Sequence, residues 1–298
     1  MGFANDIYRQ LTAGCWQLGF IEEPLEEIIL GMPYAVHYLS HPYNDRWFAD
    51  PWLLATDSKE IILLVEEYTY KERLGYISKL IVDRNTYKLK CRKPILKLST
   101  HLSFPAILYE HNKTFIYPEN AAGEGLGLYE IKEGHDELEY IKNISKLPLA
   151  DAVITNVFGE KFLFGTLIPK HNGNELSVYR IDDDYCIEPY TKCSFGSNVA
   201  RNAGNWFRLG EKIYRPAQDC NTGYGTAVII QEVERNGNQF VFHDIKKIVS
   251  YNPRYNIGLH TFNHLNGLSV IDVHGYHYGK FVAETTNALF DMYVRLFK

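Results

Sequence analysis

The chain repeats itself at intervals near fifty residues, and no other feature restricts its fold as tightly. FADPWLLATDSKEIILLVEE (48–67) aligns with LSFPAILYEHNKTFIYPEN (102–120), LADAVITNVFGEKFLFGTL (149–167) and ARNAGNWFRLGEKIYRPAQD (200–219). Each copy holds an apolar run, a polar turn (TDSKE, EHNKT, VFGEK, RLGEK) and a second apolar run, which is the pattern of a hairpin. A further strand-like run follows each copy: RLGYISKLIV, GLGLYEI, LSVYRI and TAVIIQEV. GLHTFNHLNGLSVIDVHG (258–275) is a fifth, weaker copy. Anchored on Asp50, Phe104, Asp151, Ala203 and His260, the copies are 54, 47, 52 and 57 residues apart.

A unit of three or four strands has one apolar face and cannot bury it alone. Closing such units into a ring buries every face and protects the sheet edges. The expectation is therefore an all-β chain, a five-bladed β-propeller. Blades fall near 45–100, 101–148, 149–196, 197–255 and 256–298. The last copy is short of strands, and YAVHYLS (34–40) is expected to complete it and close the ring through the N-terminus. Residues 1–33 contain LEEIILG, an extra strand or short helix at the ring's edge; the tail TTNALFDMYVRLFK suits strand or helix. No linker, low-complexity tract or charge block divides the chain, so residues 1–298 are read as one domain.

Composition excludes several function classes. Net charge is −5, so neither a nucleic-acid surface nor an anionic-membrane surface is expected. Five cysteines, Cys15, Cys91, Cys186, Cys193 and Cys220, form no CxxC or zinc spacing and read as reduced thiols. The N-terminus lacks a basic segment followed by an apolar one, and no run of 18 apolar residues occurs. A cytoplasmic location without an integral membrane segment is the expectation. Twenty-two tyrosines suit strands as well as sugar-stacking surfaces.

Propeller geometry gives the anchors a meaning. Inner strands line the central channel, so residues at their starts meet around one mouth although they lie some fifty positions apart. Asp50 and Asp151 are carboxylates at equivalent positions, His260 is a third polar anchor, and Arg201 flanks a fourth. An Asp at a strand start is otherwise a turn or cap residue, and Arg201 could equally form a buried ion pair with Asp151 or Asp50. The pairs His260/His264 and His274/His277 read as packed or surface histidines, not as metal ligands. GEGLGLYE (123–130) reads as a hairpin loop, not a phosphate cradle.

These motifs resemble, in order, those of the five-bladed propeller glycosidases of the arabinanase and xylosidase group. FADPWLL is similar to the first-blade motif and LADAVI to the third; the resemblance implies a general base at Asp50 and an orienting role for Asp151. GLHTFN resembles the fifth-blade segment, which implies an axial His260 and a structural cation near it. HLSFPAILYEHNKTFIYPEN and YRPAQDC…YG (214–224) resemble more specifically the N-terminal propeller module of glucosamine inositolphosphorylceramide transferases and its bacterial relatives. On that resemblance His101, Tyr224 and His260 are taken as substrate-binding.

One expected residue is missing. Inverting hydrolysis needs a general acid beside the base, worth about 10²–10⁴-fold. The resemblance implies a Glu at the start of the fourth blade, where this chain reads VARNAGNW. Glu119 and Asp219 are the remaining carboxylates at inner-hairpin ends. A phosphate leaving group needs no acid if cations stabilise it, and Arg201 and Arg215 could do so. The leading expectation is therefore a glycosyltransferase using a phosphate-bearing sugar donor, in surface-glycan or polysaccharide biosynthesis. An inverting hydrolase with a displaced acid and a non-catalytic glycan-binding propeller stay open. The partner is a sugar or sugar phosphate.

Overall fold

The computed structural model describes residues 11–132 and 137–297. The chain starts with β1 (Gly14–Ile21), a short helix α1 (Leu25–Leu30) and a two-residue strand β2 (His37–Tyr38). Three complete blades follow. They are β3 (Arg46–Thr56), β4 (Glu60–Thr69), β5 (Leu74–Asp83) and β6 (Leu89–Leu96); β7 (Ser103–Glu110), β8 (Lys113–Glu119), β9 (Leu126–Ile131) and β10 (Leu138–Ser145); and β11 (Leu149–Val157), β12 (Glu160–Leu167), β13 (Glu175–Ile181) and β14 (Ile187–Ser194). The fourth comprises β15 (Phe207–Leu209), β16 (Lys212–Asp219), β17 (Ala227–Asn236) and β18 (Gln239–Ile248). The fifth begins with β19 (Phe262–Leu265) and β20 (Leu268–Tyr276), and α2 (Lys280–Phe297) ends the described chain.

Five antiparallel four-stranded sheets result, and the fifth has the order β19-β20-β1-β2. The ring is thus closed by the N-terminus, as expected, but with two strands. Segment 34–40 supplies only the outer strand. The larger closing strand is β1, which pairs with β20 from Gly14↔Tyr276 to Ile21↔Ser269. Two glycines in GCWQLGFI dilute its strand signal. Both are required by close packing: a Cβ at Gly19 would meet Val36 Cγ1 at 2.7 Å, and one at Gly14 would meet His274 Nε2 at 2.7 Å. LEEIILG forms α1, capped by Gly31 at φ 83°. The tail forms the helix α2.

The blades bury their faces against one another. Leu102, Phe104, Ile116, Phe162 and Phe164 belong to one large apolar cluster, and Leu18, Phe20, Leu63 and Val270 seal the first blade against the fifth. All five cysteines are free. Among the described residues no helix is long and apolar enough to cross a membrane.

Three inner strands share one irregularity. Their pairing slips between Ala49 and Trp52, between Ser103 and Pro105, and between Ala150 and Val153. At these bulges Asp50, Phe104 and Asp151 take φ of 50°, 44° and 43°. This left-handed conformation is costly for a residue with a Cβ, least so for Asp. Its effect is to turn the N–H of each anchor out of its own ladder and toward the axis. In the fourth blade the position after Ala203 is Gly204, at φ 152°, where a Cβ would meet the Phe262 carbonyl at 2.1 Å.

Candidate functional site

The released N–H groups tie the blades together through carboxylates. Asp50 N–H donates to Asp272 Oδ2 at 2.9 Å, Phe104 N–H to Asp50 Oδ2 at 2.9 Å, and Asp151 N–H to Glu119 Oε2 at 2.9 Å. Thr261 Oγ1 donates to Asp50 Oδ1 at 3.0 Å, and Asn202 Nδ2 to the Asp151 carbonyl at 2.8 Å. Ala203 O accepts from Phe262 N–H at 2.7 Å, which links the fourth blade to the fifth. The anchors predicted to converge therefore meet in one hydrogen-bonded ring around the axis.

Asp50 is buried, and burial is the main reason its carboxyl is raised to about 7. His260 opposes that rise, while Glu66, Asp151 and Asp272 add to it. Glu119 is raised further, to about 8, by burial and by Asp151, against the pull of Arg201. Its Oε2 accepts the Asp151 N–H, and Arg201 Nη2 stands 3.8 Å from the same oxygen. Two carboxyl groups at one end of the channel thus titrate near neutrality, a property of acid–base sites.

Arg201 forms the buried ion pair that competed with its anion-binding role. Its Nε is 2.5 Å from Asp151 Oδ2, its Nη1 donates to Asn172 Oδ1 at 2.8 Å, and it lies 4.9 Å from the Tyr224 ring centre. Gln218 Nε2 donates to the same Asp151 oxygen at 2.6 Å. Arg215 is fully buried between the third and fourth blades. It donates to Asn202 Oδ1, Gln231 Oε1 and the Val199 and Ala200 carbonyls. Burial lowers its pKa to about 9. With these donors taken by protein atoms and no exposed surface, Arg215 offers no face to a ligand, contrary to the expected substrate contact. Asp219 is occupied as well: Oδ1 accepts from Asn221, and Oδ2 pairs with Lys247 at 2.7 Å. Burial works against its charge, yet these partners hold it below the usual carboxylate range. A carboxylate held ionised is a poor acid.

Asp272 is the axial residue that sequence reasoning missed. It is fully buried, and it accepts N–H bonds from His260, Thr261 and Asp50. His260 Nδ1 lies 2.8 and 2.7 Å from its two oxygens. Asp is depleted in strands, so the carboxylate within SVIDVHG was a usable signal. Burial disfavours charge on His260, but Asp272 and Asp50 outweigh it and lift the imidazole to about 9. Trp16 stacks on His260 at 3.8 Å, and Tyr224 meets it edge-on at 5.3 Å. Trp16 also stacks on His274 at 4.6 Å, and burial brings that imidazole down to about 4.

Asp50, His260 and Asp272 have ligand atoms within 4.8 Å of one another and are residue types that could hold a metal ion. Their carboxylate oxygens also accept the Asp50, Phe104, His260 and Thr261 donors, and the positive charge that balances the two buried carboxylates is an imidazolium or a cation held by these three residues.

His101 lies on the first-blade side of this mouth. Its Nδ1 accepts the Gly75 N–H at 3.0 Å and its Nε2 is 3.1 Å from Glu66 Oε1. Tyr224, at the opposite side, is about half exposed.

Fold and site together define the class: a five-bladed β-propeller with a ring of buried carboxylates, one histidine and one arginine at the axis. Residues 37–284 match the family described as glucosamine inositolphosphorylceramide transferase 1, N-terminal, and the chain belongs to that family. A curated relative, glucosamine inositolphosphorylceramide transferase 1 of Oryza sativa subsp. japonica, is 27% identical over 145 residues, which are 45% of this chain and 19% of the relative. The chain thus corresponds to a minor part of that protein's length. Among solved structures, a GH43 β-xylosidase/α-arabinofuranosidase from a compost microbial metagenome aligns with a TM-score of 0.53 at 10% identity, over 76% of this chain and 84% of its own. A GH43 β-1,3-galactosidase aligns with a TM-score of 0.53 at 7% identity, over 70% and 81%. At these identities the likeness concerns the fold.

Proposed function

We propose that this propeller is a carbohydrate-active enzyme that moves a glycosyl group at its axial mouth, with Asp50 as base and Glu119 as acid. One observation carries the reading: Asp50 and Glu119, of the two first blades, belong to the same axial ring of hydrogen bonds, Asp50 buried and Glu119 with its side chain 14% exposed, each with an ionisation near neutrality. Asp50 takes the proton of the incoming hydroxyl, from water or a sugar. Glu119 gives its proton to the departing oxygen, so the absent fourth-blade carboxylate is replaced from the second blade. Asp151, held by Arg201 and Gln218, orients the sugar and keeps Glu119 protonated by its own charge. His260 holds Asp50 electrostatically from 3.7 Å.

The test uses the leaving group. Glycosides of 2,4-dinitrophenol depart without a proton, whereas methyl and alkyl glycosides need one. Across a panel of xylosides, arabinofuranosides and galactosides, Glu119→Gln should keep most turnover of dinitrophenyl substrates and lose about 10²-fold or more on alkyl ones. Asp50→Asn should lose both. Equal losses of both substrate types in Glu119→Gln would remove it as the acid.

A second reading, transfer from a phosphate-bearing donor, is favoured by the transferase name of the curated relative. It is weakened by Arg201 being paired and Arg215 being enclosed. It predicts turnover of sugar 1-phosphates or nucleotide sugars and none of the aryl glycosides. Binding of glycans without turnover of either class would leave the non-catalytic reading.

A further inference from the structure

The first blade carries a carboxylate that the reaction above does not use. Glu66 is buried, at 5% exposure, and stands opposite Ala49, one residue before Asp50. Its Oε1 faces His101 Nε2 at 3.1 Å. Because His101 Nδ1 accepts the Gly75 N–H, the ring proton sits on Nε2, on the side of Glu66. Gly75 makes this approach possible. A Cβ there would meet His101 Cε1 at 2.6 Å and Glu66 Oε1 at 2.7 Å. Among the described residues Glu66 Oε1 is buried and accepts no well-aligned hydrogen bond, its contact with His101 included. An ionisable group buried this deeply ordinarily uses all its acceptors.

An aromatic plate adjoins the carboxylate. Tyr68 is two residues further along the same strand face, pairs with Trp47, and stacks on it at 4.7 Å with planes 9° apart. Its ring centre is 6.3 Å from that of His101, whose side chain is 43% exposed. Glu66 and His101 are also near enough to Asp50 to be felt electrostatically by it or from it. The strip therefore runs from the axial mouth outward along the first blade.

The geometry points to a second sugar-binding subsite here. A pyranose or furanose ring lies on the Tyr68–Trp47 plate, and its hydroxyls donate to Glu66, which His101 holds in place. The occupant is a neutral sugar unit, joined to the one at the axis, since a phosphorylated or acidic sugar would meet Glu66 and Asp50 as like charges. This inference rests on the reading of the axis as a sugar site, but it concerns binding and not chemistry.

The experiment measures binding with turnover blocked. Asp50→Asn protein is titrated calorimetrically with neutral trisaccharides (xylotriose, arabinotriose and galactotriose) and with the matching methyl monosaccharides. Adding Tyr68→Ala or Glu66→Gln should weaken the preferred trisaccharide by about tenfold or more and leave the monosaccharide unchanged. Tyr68→Phe, which keeps the plate, should bind as the parent does, and His101→Ala should reproduce the Glu66→Gln loss if that variant folds poorly. Unchanged trisaccharide affinity in Tyr68→Ala and His101→Ala overturns the subsite, as does failure of every trisaccharide to bind. If the leaving-group test fails while Tyr68 and Glu66 still govern trisaccharide binding, the catalytic reading falls and the subsite stands.

Discussion

At the scale of single residues the proposed reaction rests on Asp50 and Glu119, and their titrations set the pH dependence it predicts. A base must be ionised, so the rate should rise with pH through about 7. An acid must be protonated, so it should fall above about 8. On an alkyl glycoside kcat/KM should follow a narrow bell between those limbs. In Glu119→Gln, measured with a dinitrophenyl glycoside, the alkaline limb should vanish; its persistence would assign that limb to another group. Stability gives an independent check. Glu119 binds its proton more tightly folded than unfolded, so its burial costs nothing in acid and progressively more as pH rises from about 4.5 to about 8. Glu119→Gln should therefore melt like the parent at pH 4 and a few °C higher at pH 8. Asp272 should act in the opposite sense. Asp272→Ala leaves the buried His260 charge without its partner and three N–H groups without an acceptor. A loss of about 3–5 kcal/mol in urea unfolding is expected; a loss below about 1 kcal/mol would mean that the axis does not depend on that pair.

The element that makes the site is the bulged start of an inner strand. Its repetition was legible because Asp50 and Asp151, and Pro51 and Pro105 beside two of the anchors, are poor inner-strand residue types at equivalent places. What the pattern could not convey was the direction of the bulge: a positive φ turns the anchor N–H to a neighbouring blade, so the same residues that open the site also join the ring. Phe104 shows the limit of reading by residue type. It has no chemistry to offer, yet its N–H holds Asp50. Arg201 and Arg215 show another: both are cations in the right repeat, but an ion pair and a closed hydrogen-bond shell are properties of three-dimensional neighbours. Asp272 and Glu66 lie on second strands, away from the anchor register, and so escaped it. Gly204 tests the importance of the fourth blade's start. Gly204→Ala sets a Cβ against the Phe262 carbonyl in a backbone conformation that L-residues resist. It should cost at least about 2 kcal/mol of stability, read by urea unfolding; a silent substitution would show that this strand start can shift without consequence.

Closure governs the whole molecule. Five blades were countable from the repeat, because each must bury one face and the period sets the number. The way the last blade is completed was only half legible: strand content was short near the C-terminal end, but the eight residues that supply most of it, GCWQLGFI, are glycine-diluted and lie at the other end of the chain. β1 contributes Leu18, Phe20 and Ile21 to the core with no exposed surface, and Trp16 to the axial histidine. A ring lacking β1 would expose the edge of β20 and the apolar flank of the first blade together, a template for pairing with other chains. Deleting residues 1–22 should therefore abolish a cooperative thermal transition and yield aggregates on size exclusion. A peptide spanning 12–23, added during refolding, should restore both the elution position of the intact protein and the transition, because β1 joins the sheet through its backbone pairing with β20 and packs by its own side chains. Were the truncated chain to melt cooperatively without the peptide, four blades and a hairpin would suffice to hold the axis, and the N-terminal strand would be a cover and not the closure.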